Sequence, residues 1–198
     1  MKKMIFLSLL VLFVPVILYS QDKVEAPVWN IGDKWILGEN ITIVVADADG
    51  SSYTVKYLTP GRETILIYEK SSLNRLYSMD KDKRTPYEGR NKRLFNFPLE
   101  IGKSWKDKFI GKEGSREFTY VETFTPLRWE EIGVQAGKFK AIKFEYRQAR
   151  GDSPTAKEGK VWYWYSPDVK YIVKCQYERT SYWDEFYDWE LTSFTLKK

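Results

Sequence analysis

Apolar residues alternate with polar ones along nearly the whole chain after residue 20, and the spacing of apolar residues expected of a helix is almost absent. Alternation with period two is the signature of strands that bury one face. It predicts strands over Trp35–Ala46, over a segment carrying Tyr53, Val55 and Tyr57 on one face, over Thr64–Glu69 and over Leu73–Met79. A second group follows: Trp105–Ile110, Glu117–Thr125, Arg128–Val134, Phe139–Arg147, Gly159–Tyr165, Tyr171–Arg179 and Phe186–Leu196. Short turn clusters separate them, among them Asp47-Ala-Asp-Gly50, Pro60-Gly61-Arg62 and Ser166-Pro-Asp168. The polar stretch 80–91 is the longest loop candidate. Roughly ten short strands with short connections predict an all-β chain, an antiparallel meander forming a curved sheet or barrel.

The alternation also assigns faces. Phe118, Tyr120, Glu122 and Phe124 share one side of their strand, Ile142, Phe144 and Tyr146 one side of theirs, and Tyr187, Trp189 and Leu191 one side of the last. The opposite sides are charged, as expected of a sheet with one wet face. Val161-Trp-Tyr-Trp-Tyr165 departs from this rule, because both of its faces are aromatic. Such a strand is covered on both sides or offers one row to a ligand. Glu122 is the single carboxylate on its aromatic face. Buried, it needs a lysine, an arginine or a tyrosine hydroxyl, or its pKa rises. It is either a polar anchor or a strand-end residue that reaches solvent.

The start of the chain breaks the pattern. Lys2 and Lys3 precede an apolar run from Met4 to Leu18, which is followed by Tyr19-Ser20-Gln21. That is the layout of a secretory signal peptide cleaved after Ser20. The run is shorter than the ~20 residues a membrane-spanning helix needs. The expected organisation is a signal peptide over 1–20 and a single β domain over 21–198, exported to the bacterial periplasm or beyond, with no transmembrane helix after cleavage.

Composition narrows the chemistry. The chain of 198 residues has no histidine and one cysteine, Cys175. Histidine-based nucleophilic triads and the usual zinc sites are thereby excluded, as is an intramolecular disulfide. Cys175 lies in a strand-like segment and reads as a small buried residue rather than a reactive thiol. The net charge of +5 falls to +3 when residues 1–20 are removed, and both signs are interspersed. No nucleic-acid footprint follows from that. Lys81-Asp82-Lys83-Arg84 reads as a solvated loop, and Asp47-Ala-Asp-Gly50 as a hairpin turn, since the remaining ligands of a calcium loop are missing. No metal, cofactor or catalytic set is expected.

One internal echo stands out. Ile31-Gly-Asp-Lys-Trp35 recurs as Ile101-Gly-Lys-Ser-Trp105. It marks either two equivalent β halves or a coincidence.

Three segments carry a family likeness: Phe97-Pro-Leu-Glu-Ile-Gly-Lys-Ser-Trp105, Val134-Gln-Ala-Gly-Lys-Phe-Lys-Ala-Ile-Lys143, and Trp162-Tyr-Trp-Tyr-Ser-Pro-Asp-Val-Lys-Tyr-Ile-Val-Lys174. In order and spacing they resemble the exported bacterial β-proteins called DUF3108-like, or TapB-like, domains. The likeness covers about residues 97–175, with Trp29–Trp35 added from the first half. Gln135 stands where that family commonly has proline. The resemblance implies an exported β-barrel-like domain and transfers no catalytic residue. Gly102, Gly137 and Pro167 within it serve turns.

The favoured function is therefore non-enzymatic: an envelope-maintenance role, or an aromatic concavity that holds a lipid, another apolar small molecule or a peptide. The expected lining is Trp162, Trp164, Phe144, Tyr146, Tyr120 and Trp189, with Glu122 as the polar anchor. A carbohydrate-binding surface is the alternative and requires exposed tryptophan or tyrosine rings in a row. A hydrolase using Glu122 or the acids between Asp184 and Glu190 is a further one.

Overall fold

The computed structural model describes residues 23–81, 83–151, 158–179 and 187–198. The expected signal peptide and the acids Asp184 and Glu185 lie outside them. Twelve strands form: β1 (Lys34–Leu37), β2 (Ile41–Ala48), β3 (Ser52–Thr59), β4 (Arg62–Glu69), β5 (Arg75–Asp80), β6 (Lys83–Pro86), β7 (Trp105–Glu113), β8 (Arg116–Val134), β9 (Gly137–Arg150), β10 (Gly159–Ser166), β11 (Tyr171–Tyr177) and β12 (Trp189–Thr195). They make one sheet in the order β6-β5-β4-β3-β2-β1-β12-β11-β10-β9-β8-β7. Every hydrogen-bonded pair is antiparallel.

The chain is thus an all-β meander, as its alternation predicts. The sheet is curved and open rather than a closed barrel, since β6 and β7 end it on either side. Arg75 on β5 and Tyr163 on β10 line the same cavity. Seven strand spacings separate them, about 34 Å on a flat sheet at ~4.8 Å per strand. Only a strongly curled sheet can bring them together.

Strand count exceeds the expectation in two places and falls short in one. Trp35–Ala46 is two strands, because Gly38 takes φ +55° and turns the chain through Glu39 and Asn40. Part of the expected loop 80–91 pairs with β5 as β6. Conversely, Glu117–Thr125 and Arg128–Val134 are one 19-residue strand, β8. Pro126 has no N–H to give the ladder, and the strand absorbs it as a register shift between Pro126 and Arg128 instead of ending.

The sheet is two six-stranded meanders in tandem, β1–β6 and β7–β12, joined where β1 pairs with β12. The sequence echo marks their starts. Gly32 and Gly102 both take positive φ (+89° and +82°), and Trp35 and Trp105 lie in the first two positions of β1 and β7. Both tryptophans are buried with the indole N–H bonded to a backbone carbonyl, Val169 at 2.8 Å and Arg93 at 2.9 Å.

The segment from Tyr87 to Ile101, between β6 and β7, runs through the hollow of the sheet. Phe95 stacks on Phe97 and meets Phe144 and Tyr165 edge-on. The Arg75 N–H donates to Lys92 O at 3.0 Å, and Leu99 pairs with Val24. The core therefore lies between the curled sheet and this segment. Trp35, Tyr146, Tyr165, Phe124 and Phe144 are its largest fully buried side chains. Aromatic pairs of this kind add about 0.5–1.5 kcal/mol each beyond their buried area.

Candidate functional site

Strand β10 settles which aromatic row faces inward. Tyr163 lies opposite Phe144 and Cys175, and Val161 opposite Tyr146. Trp162 lies opposite Glu145 and Gln176, and Trp164 opposite Lys143 and Lys174. The inward row is therefore Val161, Tyr163 and Tyr165, all buried. Trp162 and Trp164, expected in the lining, sit on the outer face. Lys143 lies over both rings, at 5.4 and 4.8 Å, and Trp164 donates to Glu130 at 2.7 Å. These lysine stems and heads cover the rings in the manner of cation–π pairs. None of the seven described tryptophans is exposed; Tyr187 is the exposed ring among the described large hydrophobic residues. Among the described residues, the row of open rings that sugar binding requires is not formed.

The inward aromatics of β8 and β9 pack against one another. Phe124 stacks on Trp105 at 5.5 Å and meets Tyr146 at 5.1 Å, while Tyr120 stacks on Phe109 at 5.1 Å near the β7 edge. Phe144, Tyr146 and Tyr120 are core residues and line none of the cavities described here.

Glu122 is fully buried among them. Its Oε1 accepts the Asn91 N–H at 3.0 Å and the Tyr146 hydroxyl at 2.8 Å. The tyrosine hydroxyl is the kind of partner the sequence demands. Gln148 lies 2.7 Å from the same hydroxyl. Among the described residues, Glu122 Oε2 has no hydrogen-bond partner, and neither does buried Oδ2 of Asp107, directly opposite on β7. Burial pushes the Glu122 pKa up; the Asn91 and Tyr146 hydrogen bonds pull it down, Asp107 raises it and Arg90 lowers it, leaving it above the ordinary carboxylate range.

Beside this node lies a cavity of about 250 Å³. Leu37, Ile41 and Ile43 form its apolar wall from β1 and β2, and Ile172 and Trp189 add to it from β11 and β12. Tyr57, Tyr163, Tyr171 and Tyr177 present rings and hydroxyls. Arg75 from β5, with Tyr87, Arg90, Asn91 and Leu94 from the segment in the hollow, supplies the polar end. Five of these residues (Leu37, Ile41, Tyr57, Tyr177 and Trp189) are shared with an open depression beside Glu39 and Tyr187, which forms the mouth.

Arg75 is held in place by tyrosines. Nε donates to the Tyr68 hydroxyl at 3.0 Å and Nη1 to the Tyr87 hydroxyl at 2.8 Å. Burial opposes its charge, and the oxygens of Tyr68, Tyr87 and Tyr171 outweigh that, so its pKa is raised and it remains a cation. Asn91 donates through Nδ2 to the Tyr163 hydroxyl at 3.2 Å and so joins the cavity to Glu122. Burial raises Tyr163 and Tyr171 and pushes Tyr177 up to about 12, so all three stay neutral. The arrangement offers charge, hydrogen-bond donors and acceptors, and apolar surface to the cavity.

Of the seven residues expected at a site, only Trp189 reaches the cavity. Arg75, Arg90 and Tyr87 belong to no motif in the sequence. Arg75 carries a usable signal: it shares parity with Leu73, Tyr77 and Met79 on its predicted strand, a charge among apolar residues, as Glu122 is. Of the remaining acids, Asp188 and Glu190 are described and engage separate partners. Asp188 accepts the Tyr177 N–H at 2.9 Å and pairs with Arg179 at 3.1 Å, and Glu190 accepts the Gln135 N–H at 3.2 Å. Cys175 is buried, and burial pushes its thiol up. Among the described residues no cluster of three or more metal-ligating side chains occurs, and no helix is long and apolar enough to cross a membrane.

The hairpin motif has a structural task. Val169 O accepts the Trp35 indole N–H at 2.8 Å, and Lys170 O accepts that of Trp29 at 3.0 Å. The Ser166–Lys170 turn thus seats the tryptophans of the first half.

No protein-family model matches the sequence, and no curated protein matches it. Among solved structures the chain is similar to the hypothetical lipoprotein YmcC of Escherichia coli (K12), with 10% identity, a TM-score of 0.48, and 88% of this chain and 90% of that one covered. It is also similar to a predicted lipoprotein from Parabacteroides distasonis ATCC 8503, with 14% identity, a TM-score of 0.45, and coverage of 88% and 100%. A predicted exported protein with a YmcC-like fold from Bacteroides fragilis NCTC 9343 stands at 11% identity, a TM-score of 0.45 and the same coverage. The DUF3108-like resemblance of residues 97–175 therefore rests on its sequence motifs alone.

Proposed function

We propose that this chain is an exported, non-enzymatic β-domain of the bacterial envelope that holds one small amphipathic molecule between its two six-stranded halves. The observation that carries this reading is the cavity of about 250 Å³, with one apolar wall, one polar end and a mouth. It matches the usual make-up of ligand sites, apolar walls with a few placed polar groups, at the small end of their size range. At ~30 Å³ per water it has the volume of about eight waters, room for a short acyl chain or the end of a longer one. A folded peptide or a whole phospholipid is too large. The leader-like start of the sequence and the DUF3108-like, TapB-like motifs support the export part of the reading. The absence of histidine and the neutral, burial-raised tyrosines support a binding role over catalysis.

The test is native mass spectrometry, with solvent extraction, on protein purified from its own envelope. One small adduct per chain is expected, and its loss in an Ile41→Trp variant that fills the mouth. Ligand-free wild-type protein overturns the reading.

A further inference from the structure

Two guanidiniums, those of Arg75 and Arg90, line the cavity, and no aspartate or glutamate does. Among the described residues, Arg75 pairs with no carboxylate. Its two side-chain hydrogen bonds go to tyrosine hydroxyls, and the rings of Tyr68 and Tyr87 lie 5.8 and 5.2 Å away. A guanidinium has five N–H donors. Nε and one Nη1 hydrogen are used, which leaves the second Nη1 hydrogen and both on Nη2. Those are the donors that grip a planar carboxylate through two parallel hydrogen bonds. A half-buried charge without a counter-ion carries a cost, and the protein supplies aromatic faces and hydroxyls where a carboxylate would be expected. Arg90 adds positive charge to the same end; Tyr177 accepts from it, and Glu122 is among the groups that favour its charge.

We infer that the molecule held in the cavity is a monocarboxylate with an apolar body. Its carboxylate lies against Arg75, with Arg90 and the tyrosine hydroxyls around it, and its body lies along Leu37, Ile41, Ile43 and Ile172 toward the mouth. This rests on the cavity being the ligand site, and adds the ligand's charge and orientation. Tyr68 and Tyr87 act as positioning residues for the guanidinium.

The experiment compares octanoate with 1-octanol, equal in chain length and different in charge, by calorimetric titration of delipidated mature protein at neutral pH. Octanoate is expected to bind at least tenfold more tightly. The margin should shrink when the pH falls below the pKa of octanoic acid. Arg75→Met should bring octanoate down to the affinity of octanol, and Arg75→Lys should keep part of the difference, because it keeps the charge and loses the fork. Equal binding of the two probes to wild-type protein overturns the carboxylate inference and leaves the cavity reading standing. Binding of neither overturns both. The wild-type comparison decides the matter even if the arginine variants fail to fold.

Discussion

Glu122→Gln is expected to stabilise the fold at neutral pH and to change little at acid pH. In the glutamine variant Oε1 still accepts from Asn91 at 3.0 Å and Tyr146 at 2.8 Å. What changes is the other atom. Among the described residues, Glu122 Oε2 is a buried acceptor without a donor, opposite a second one on Asp107. An amide puts two N–H donors there and removes the charge. A buried polar atom left unpaired costs about 1–3 kcal/mol, so the expected gain is about 1–2 kcal/mol. The pH dependence has a definite sign. Burial raises the folded pKa of Glu122 above its unfolded value. Between those two pKa values the folded state binds the extra proton, so this group makes stability fall as pH rises through that window and leaves it level above. Below the unfolded pKa both states are protonated, the carboxyl O–H donates for itself, and the variant has no advantage. Urea unfolding of both proteins across the range from about pH 4 to 8 measures the difference. A variant destabilised by more than ~1 kcal/mol at neutral pH refutes the reasoning. It would mean that the attraction of Arg90 outweighs desolvation and that Glu122 is held as a favourable ion.

Three further perturbations separate packing from site. Trp35→Phe leaves Val169 O buried without its 2.8 Å donor, and a loss of about 1–3 kcal/mol is expected in urea unfolding; a change under ~0.5 kcal/mol would show that the indole bond is replaced by water. Gly111→Ala brings a Cβ within 2.7 Å of the Tyr120 ring, whereas a Cβ at Gly50 meets nothing within 4 Å. The first should cost about 1–3 kcal/mol through overpacking and the second almost nothing, and equal melting temperatures for the two variants would contradict the packing at the β7 edge. Cys175, buried with a raised thiol pKa, should resist thiol reagents in the native protein and react only at the rate of unfolding; fast stoichiometric labelling of native protein would overturn that.

Local pattern revealed strands and faces because both depend on side-chain parity alone. Phe124, Phe144 and Tyr146 lie on the buried face their alternation assigns. Parity is silent on the doubly aromatic β10, where it does not say which row faces inward. Trp162 and Trp164 lie opposite charged or amide residues on both neighbouring strands, whereas Tyr163 lies opposite Phe144 and Cys175. Register between strands is a non-local quantity, and the sequence of β10 alone does not contain it. The same holds for the cavity. Arg75 and Tyr163 are far apart in sequence and on different halves, and they meet only because the sheet curls and the segment after β6 runs through its hollow.

That geometry also explains why the motifs and the site diverge. The motifs that resemble DUF3108-like domains lie at positions 97–175, and their most recognisable parts are turns. The Ser166–Lys170 turn receives Trp29 and Trp35 through Lys170 O and Val169 O. It fastens the second half of the sheet onto the first, beside the β1–β12 junction. Arg75, Tyr87 and Arg90, which set the polarity of the cavity, all precede that region. Apolar cavity residues on β1, β2 and β11 need only be branched and buried, and many sequences meet that demand. A guanidinium among tyrosine hydroxyls, with no carboxylate beside it among the described residues, is a narrower requirement. The turns therefore hold the scaffold around the cavity, while its charged groups come from residues before the recognisable motifs. Replacing Arg75 should change the ligand without changing the fold, and disrupting the Trp35–Val169 bond should loosen both halves at once.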